Sequence, residues 1–201
     1  MKKFSALLLI CCFVLSLAGC GEVQRAEATV DKMFAAIKSL DFQEAQKYVN
    51  IEDVADLDDK SDEDEYVKLI MEKIFGRLEY EIVSSEKIDN DTVVVKTKIT
   101  STDMRLVMAD YLTKALEYAF SAAFADPQPT EEEAAEEMEK ILIECLSKPD
   151  SSTVTNEVNI RVTKTKSNDW RIEADDAFVN ALLGGLVDAT KEMGDALDSL
   201  E

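Results

Sequence analysis

Apolar and polar positions along this chain change period several times, and each change predicts a new type of element. Apolar side chains recur at steps of three and four residues in Val23–Ile37, Phe42–Val49 and Tyr66–Phe75, which predicts three amphipathic helices. Asp41 and Glu44 have the spacing of a capping box at the start of the second helix. The first part of the chain is therefore predicted to be helical.

Apolar residues then occur at every second position, which is typical of strands with one buried face. The four alternating segments are Leu78–Ile82, Val93–Ile99, Val154–Val162 and Trp170–Ala174. Opposite charges on the polar faces of the first two segments favour their direct pairing. These charges belong to Glu79, Glu81, Lys96 and Lys98.

A helical hairpin is predicted between the second and third strands, over about residues 103–148. Leu106–Phe124 has helical spacing, and Asp126–Pro129 interrupts it. Thr130 and Glu133 then form a second capping box, which opens another helix. This segment is too long and too apolar for a solvated connection, so it must bury apolar surface against the sheet, within itself or against another molecule.

The chain is predicted to close with a helix from Ala177 to about Leu200. Gly184 and Gly185 weaken that helix and indicate either a close helix crossing or a bend. Helices followed by antiparallel strands predict an α+β fold. We therefore expect N-terminal helices packed on a sheet of about four strands, with a hairpin inserted between strands and a C-terminal helix.

The N-terminal segment has the features of a secretory signal, because two lysines precede the apolar run Phe4–Leu17. The following Leu-Ala-Gly-Cys sequence resembles the lipobox of bacterial lipoproteins. This resemblance implies cleavage between Gly19 and Cys20, loss of residues 1–19 and a diacylglycerol, with acyl chains such as palmitate, on the Cys20 sulfur. Residues 20–24 would then form a lipidated tether. The alternative is an ordinary signal peptide with a buried cysteine near its cleavage site.

The net charge of the chain limits the classes of partner that this protein can bind. The full chain has a net charge of −20, and removal of two signal lysines would make it about −22. So acidic a surface opposes nucleic acid and anionic lipid headgroups. The expected membrane contact is therefore through the acyl chains on Cys20, on the outer side of a cell membrane of Gram-positive type.

The cysteines predict no disulfide within the mature chain. Cys11 and Cys12 leave with the signal, Cys20 is acylated, and Cys145 has no partner left. Cys145 lies in an apolar helical pattern. We therefore interpret it as a buried small hydrophobic residue, the alternative being a reactive thiol.

Two stretches of the mature chain resemble bacterial lipoproteins with an NTF2-like domain, of the DUF4878 or DUF5105 type. The resemblance covers Thr29–Val49, with its Thr-Val-Asp-Lys-Met-Phe start, and Val154–Ala174, which ends in Asn-Asp-Trp-Arg-Ile. It implies one domain over residues 25–201, in which helices close against a strongly curved antiparallel sheet. In such cones a cavity lies at the wide end.

Candidate chemistry is sparse. The chain has no histidine, which removes the commonest general base and zinc ligand. The acidic run Asp58–Glu65 lacks the central glycine of a calcium loop and indicates a solvated helix N-terminus. No metal or cofactor is therefore expected. An aspartate base with a tyrosine donor needs no histidine, and the candidates are Tyr80, Tyr111, Tyr118, Asp103 and Asp110. The alternative is that these tyrosines lie at the edge of the core.

The sequence favours a non-catalytic, membrane-anchored extracytoplasmic lipoprotein that binds a small molecule, a peptide or an envelope partner. The alternative is an isomerase or hydrolase-like enzyme built on the same cone. Trp170 could stack on a ligand or form a core wedge near Phe34 or Ile37. Phe120 and Phe124 could face a partner, including a second copy in a homodimer, or pack on the neighbouring helix. The candidate ligand or partner residues are Trp170, Phe120, Phe124, Tyr80 and Tyr111.

Overall fold

A computed structural model describes residues 20–50, 65–148 and 152–198. The elements in these residues are α1 (Cys20–Lys38), α2 (Phe42–Gln46), β1 (Val49–Asn50), α3 (Glu65–Phe75), β2 (Glu79–Lys87), β3 (Thr92–Thr102), α4 (Met104–Ala123), α5 (Glu131–Leu146), β4 (Thr153–Lys164), β5 (Trp170–Glu173), α6 (Asp176–Leu182) and α7 (Leu186–Asp198). The predicted α+β fold is confirmed, with helices before a curved antiparallel sheet and the α4–α5 hairpin inserted between strands. The expected signal segment, with Gly19, and positions 58–64 of the acidic run lie outside the described residues.

The strands of the described residues form one sheet in the order β1-β5-β4-β3-β2. β2 and β3 are neighbours, as their charges predicted, and Lys98 lies 3.9 Å from Glu81. β4 and β5 are antiparallel, with Val162 opposite Ile172. The fifth strand, β1, consists of two residues and pairs in parallel with β5.

The prediction that Val49 lies on the second helix is wrong. α2 ends at Gln46, and Val49 is buried in β1 opposite Ile172. The cause is a backbone hydrogen bond, in which Ile172 donates its N–H to the Tyr48 carbonyl and holds this short segment extended. A contact made so far along the chain leaves no signal in the local apolar period.

The chain divides into two compact units. Among the described residues, the first unit comprises 20–50, 80–98 and 157–174. The second comprises 65–79, 99–148, 152–156 and 175–198. Compact units can share one domain, so the predicted domain over residues 25–201 stays a prediction.

The core of the first unit forms where α1 packs against β5 and α2. Its fully buried side chains come from the inner face of α1 and from alternating strand positions, namely Val30, Met33, Phe34, Val93, Val95, Ile160, Val162 and Ile172. The helical period in α1 and the two-residue period in the strands therefore bury the faces that the sequence predicted. Residues 20–24, expected as a tether, form the first turns of α1.

The second unit is built around the α4–α5 hairpin. α4 and α5 pack together, α3 packs on α5, and α7 packs on α4. The buried core residues are Met104, Val107, Ile141, Cys145 and Leu146. The capping box of Thr130 and Glu133 is confirmed, with both reciprocal hydrogen bonds present. The other predicted box forms only in part, because the Glu44 carboxylate accepts hydrogen bonds from Lys47 and Tyr48 instead.

The predicted C-terminal helix is divided in two at Gly184 and Gly185, whose φ angles are +60° and +84°. The bend interpretation of the glycine pair is confirmed, and the close contact made there is with the end of β3 and the start of α4 instead of a helix crossing. The chain bends there, and the Gly184 carbonyl accepts a hydrogen bond from the Met104 N–H at 3.0 Å. A Cβ atom on Gly184 would lie 1.8 Å from the Thr102 carbonyl oxygen, so only glycine allows this approach.

Candidate partner-binding face

The second unit exposes a row of large apolar side chains on α4. The exposed fractions are 39% for Leu112, 60% for Leu116, 68% for Phe120 and 86% for Phe124. Spacing of four residues places these side chains along one side of a helix. Leu106 is 55% exposed and extends the row toward the start of α4. We call these five residues the α4 stripe.

The opposite side of α4 packs into the core of the second unit. Met104 and Val107 are buried, and the half-buried Tyr111 and Tyr118 pack against the same cluster. α4 is therefore apolar on two sides, a pattern typical of a helix covered on both. The expectation that Phe120 and Phe124 could pack on the neighbouring helix is wrong, because α5 contacts the other side of α4 and leaves both rings exposed.

Hydrogen bonds at both ends fix the position of α4. The Asp103 carboxylate caps the helix by accepting the Arg105 N–H at 3.2 Å, and the Arg105 guanidinium forms an ion pair with it at 3.2 Å. The Asp103 N–H donates to the Ser152 carbonyl at 2.8 Å. At the other end, Phe124 is the C-cap residue and the capping box opens α5. The α4 stripe therefore lies on a helix that is capped at both ends.

Carboxylates lie near the Phe124 end of the α4 stripe. The first turn of α5 holds Glu131, Glu132 and Glu133 at the same end of the hairpin as Phe124. The Thr130 backbone N–H and hydroxyl donate to the Glu133 carboxylate and lower the pKa of that group, so it stays charged at neutral pH. This end of the hairpin therefore combines exposed aromatic rings with negative charge.

Cys145 is buried on α5, in the core of the second unit. Burial, followed by a hydrogen bond with Asp110, raises the pKa of the Cys145 thiol to about 11. Asp110 also forms an ion pair with Lys148 at 2.6 Å, and Lys148 and Cys145 together lower the pKa of its carboxyl. A neutral, buried thiol is a poor nucleophile, which favours the structural interpretation of Cys145.

We expect reductant to leave the melting temperature of a shortened chain beginning at Glu22 unchanged. Cys145 is the one cysteine in that chain, so no intramolecular disulfide can form. Thermal unfolding with and without reductant would check this, with Cys145→Ala as the control. A marked loss of stability on reduction that Cys145→Ala abolishes would show that Cys145 forms a disulfide between two chains, which would contradict its interpretation as a buried hydrophobic residue.

Tyr80 lies in the first unit and forms a pair with a carboxylate other than the two expected ones. Its ring stacks on Phe34 with 4.2 Å between centroids, and its hydroxyl donates to Asp31 at 2.9 Å. Burial, then the hydrogen bond to Asp31, raises the pKa of Tyr80 to about 12. Asp103 and Asp110 belong to the second unit, where they pair with Arg105 and Lys148. Tyr80 therefore holds α1 on the sheet by a ring stack and a surface hydrogen bond.

Trp170 is only 6% exposed and begins β5, the strand against which α1 packs. Phe34 and Ile37 are buried on that same helix. This burial favours the core-wedge interpretation over an exposed stacking platform. The Trp170 indole N–H is buried and has no acceptor in the described part of the chain.

The residues that the structure describes contain neither a cluster of metal ligands nor a membrane-spanning helix. No group of three or more potential metal ligands is found among them. Nor does any helix in this part of the chain combine the length and the apolar composition needed to cross a membrane.

Comparison with solved structures finds a similar fold in the proposed lipoprotein ycdA from Bacillus subtilis subsp. subtilis str. 168. The crystal structure of ycdA matches with a TM-score of 0.52 at 14% sequence identity. The match covers 84% of this chain and 58% of ycdA, so this chain spans little more than half the length of its structural neighbour. No family model and no curated protein matches the sequence. The shared feature is therefore the fold.

The α4 stripe contains three residues that the sequence did not single out as functional. The apolar pattern predicts that these three leucines, Leu106, Leu112 and Leu116, lie on a helix, but it does not predict which side of the helix is exposed. The signal that could have found them is the four-residue step from Leu112 through Leu116 and Phe120 to Phe124. Tyr111, predicted as a ligand or partner residue, instead packs beside the buried cluster of the hairpin.

Proposed function

We propose that this protein is a lipid-anchored extracytoplasmic lipoprotein that binds a protein partner through the α4 stripe. The observation behind the proposal is the exposure of large apolar side chains along α4 in a chain whose net charge is −20. Soluble monomers rarely expose a continuous apolar patch of this kind without a binding role. In this proposal the protein presents a surface and has no catalytic step.

The anchor follows from the N-terminal sequence. Leu-Ala-Gly-Cys supplies the cleavage signal and the Cys20 thiol that would receive diacylglycerol. The fold shared with ycdA, itself a proposed lipoprotein, supports this assignment. We further propose that residues 25–201 form an NTF2-like domain, because the N-terminal helices, the antiparallel sheet and the closing Trp170 strand occur in the expected order.

The dimensions of the stripe favour a protein partner over a small molecule. From Leu106 to Phe124 the helix rises by about 27 Å at about 1.5 Å per residue. Small-molecule sites are concave and enclose most of the ligand, whereas this row is convex and exposed. The candidate aspartates Asp103 and Asp110 are engaged in ion pairs, which supports a role without general acid-base chemistry.

In-cell photo-cross-linking tests this function. A photoreactive residue at Ala123, which is exposed on α4, should give a protein adduct in cells that produce the full lipidated chain. Leu116→Gln with Phe120→Gln should remove the adduct without changing the melting temperature, because both side chains are exposed.

The matched control carries the photoreactive residue at Asn90, in the exposed turn between β2 and β3. That position should give no adduct that depends on the stripe. The proposed function would be overturned by the absence of any adduct at Ala123, or by an adduct that survives both glutamine substitutions.

A further inference from the structure

We infer that the partner presents a basic amphipathic helix to the α4 stripe, an inference that rests on the proposed function. Two independent properties of the hairpin support it. One is the shape of the exposed side of α4, and the other is the negative charge of the hairpin.

The exposed side of α4 alternates large and small residues. Ala109, Ala119 and Ala123 are exposed among the leucines and phenylalanines of the stripe. Alanines between large side chains form grooves into which the ridge of another helix can pack. A row of this length, which winds gradually around one helix, suits a partner helix that uses residues spaced at three and four positions.

The negative charge of the hairpin then favours basic residues on either side of the apolar face of the partner helix. Residues 104–146 contain ten acidic and three basic side chains. The acidic ones nearest to the stripe along the chain are exposed Glu117 on α4, exposed Asp126 just after Phe124, and the glutamates of the first turn of α5. Each basic side chain already contacts a carboxylate, with Arg105 on Asp103, Lys114 on Glu144 and Lys140 on Glu137. The remaining negative charge is left to attract lysine and arginine on an incoming helix and to repel acidic ones.

The same charge argues against the two other occupants of an exposed apolar row. A second copy would bring another acidic hairpin against this one, so like charges would meet around the apolar contact. A bilayer with anionic headgroups would be repelled by the glutamates beside Phe124. Basic flanks on a partner helix are the arrangement that satisfies both the apolar and the charged parts of this face.

The test uses the full lipidated protein in nanodiscs of zwitterionic lipid. The probes are two synthetic 18-residue helices with the same leucine and alanine face, one flanked by lysines and one by glutamates. Fluorescence anisotropy should show that the lysine helix binds at least about tenfold more tightly than the glutamate helix, and that added salt reduces the difference.

Variants of the protein locate the binding. Leu116→Gln with Phe120→Gln should weaken binding of the lysine helix at least about tenfold, as loss of central apolar anchors does. Val83→Gln is the matched control, because Val83 is also an exposed apolar residue but lies on β2. That substitution should leave the affinity unchanged.

Equal affinity for the two helices, or binding that the stripe substitutions do not change, would overturn the inference. Stripe-dependent self-association in sedimentation would assign the face to a second copy. Quenching of a fluorophore on Ala123 by spin-labelled lipid would assign it to the bilayer. If the lysine helix fails to bind while the in-cell adduct at Ala123 still depends on the stripe, this inference fails and the proposed function stands.

Discussion

Replacing Cys20 with alanine should release the protein from the membrane into the soluble fraction. Each buried methylene of an acyl chain contributes about 0.8 kcal/mol, and two chains are needed for stable anchoring. The acidic surface offers no electrostatic substitute, since it is repelled by anionic headgroups. Fractionation of cells that produce either form, followed by detection of the protein in pellet and supernatant, would measure the loss.

Cys145→Ala is the matched control for this experiment. It also removes one thiol, but that thiol is buried in the second unit and cannot receive a lipid there. The Cys145→Ala protein should therefore remain in the pellet. Retention in the pellet of a Cys20→Ala protein from which residues 1–19 have been removed would refute the lipoprotein assignment.

Replacing Trp170 with alanine should reduce the free energy of unfolding by about 3–5 kcal/mol, as truncation of a large aromatic residue in a core does. The indole is 6% exposed at the start of β5, where α1 covers the strand. Urea unfolding of the two proteins would give the difference. Trp170→Phe should cost less, because the indole N–H has no acceptor in the described residues and most of the ring is kept.

The fluorescence of Trp170 provides a second check, since it is the only tryptophan in the chain. Burial predicts a blue-shifted emission that iodide quenches poorly in the folded protein. Red-shifted emission with ready quenching would place the ring in solvent and would restore the stacking-platform hypothesis.

The sequence predicted most elements because their periods are local and long. One face of each of these elements packs against the rest of its unit, and the repeated spacing of its apolar residues indicates which face that is. The predictions that failed depend on contacts between residues that are far apart in the sequence. Val49 joins β5 through a strand of two residues, which is too short to show an alternating pattern. The division of the last helix depends on the approach of Gly184 to Thr102, which no local pattern near residue 184 records.

The candidate partner-binding face could not be predicted from the sequence for a different reason. The apolar spacing of Leu112, Leu116, Phe120 and Phe124 is visible in the sequence, but so is the spacing of the residues on the buried side of α4. When a helix is apolar on two sides, its own pattern does not say which side the rest of the protein covers. The packing of α5 and α7 on α4 decides that question, and it depends on the whole second unit.

The helical conformation at Cys20 also limits how far the protein can reach from a membrane. Cys20 already belongs to α1, and the nearby Glu22 forms an ion pair with Lys87 on β2. With Cys20 acylated as proposed, the residue that enters the bilayer is joined to the first unit by ordered helix instead of a flexible linker. The first unit would then be held close to the headgroups, within reach of molecules at the same membrane surface.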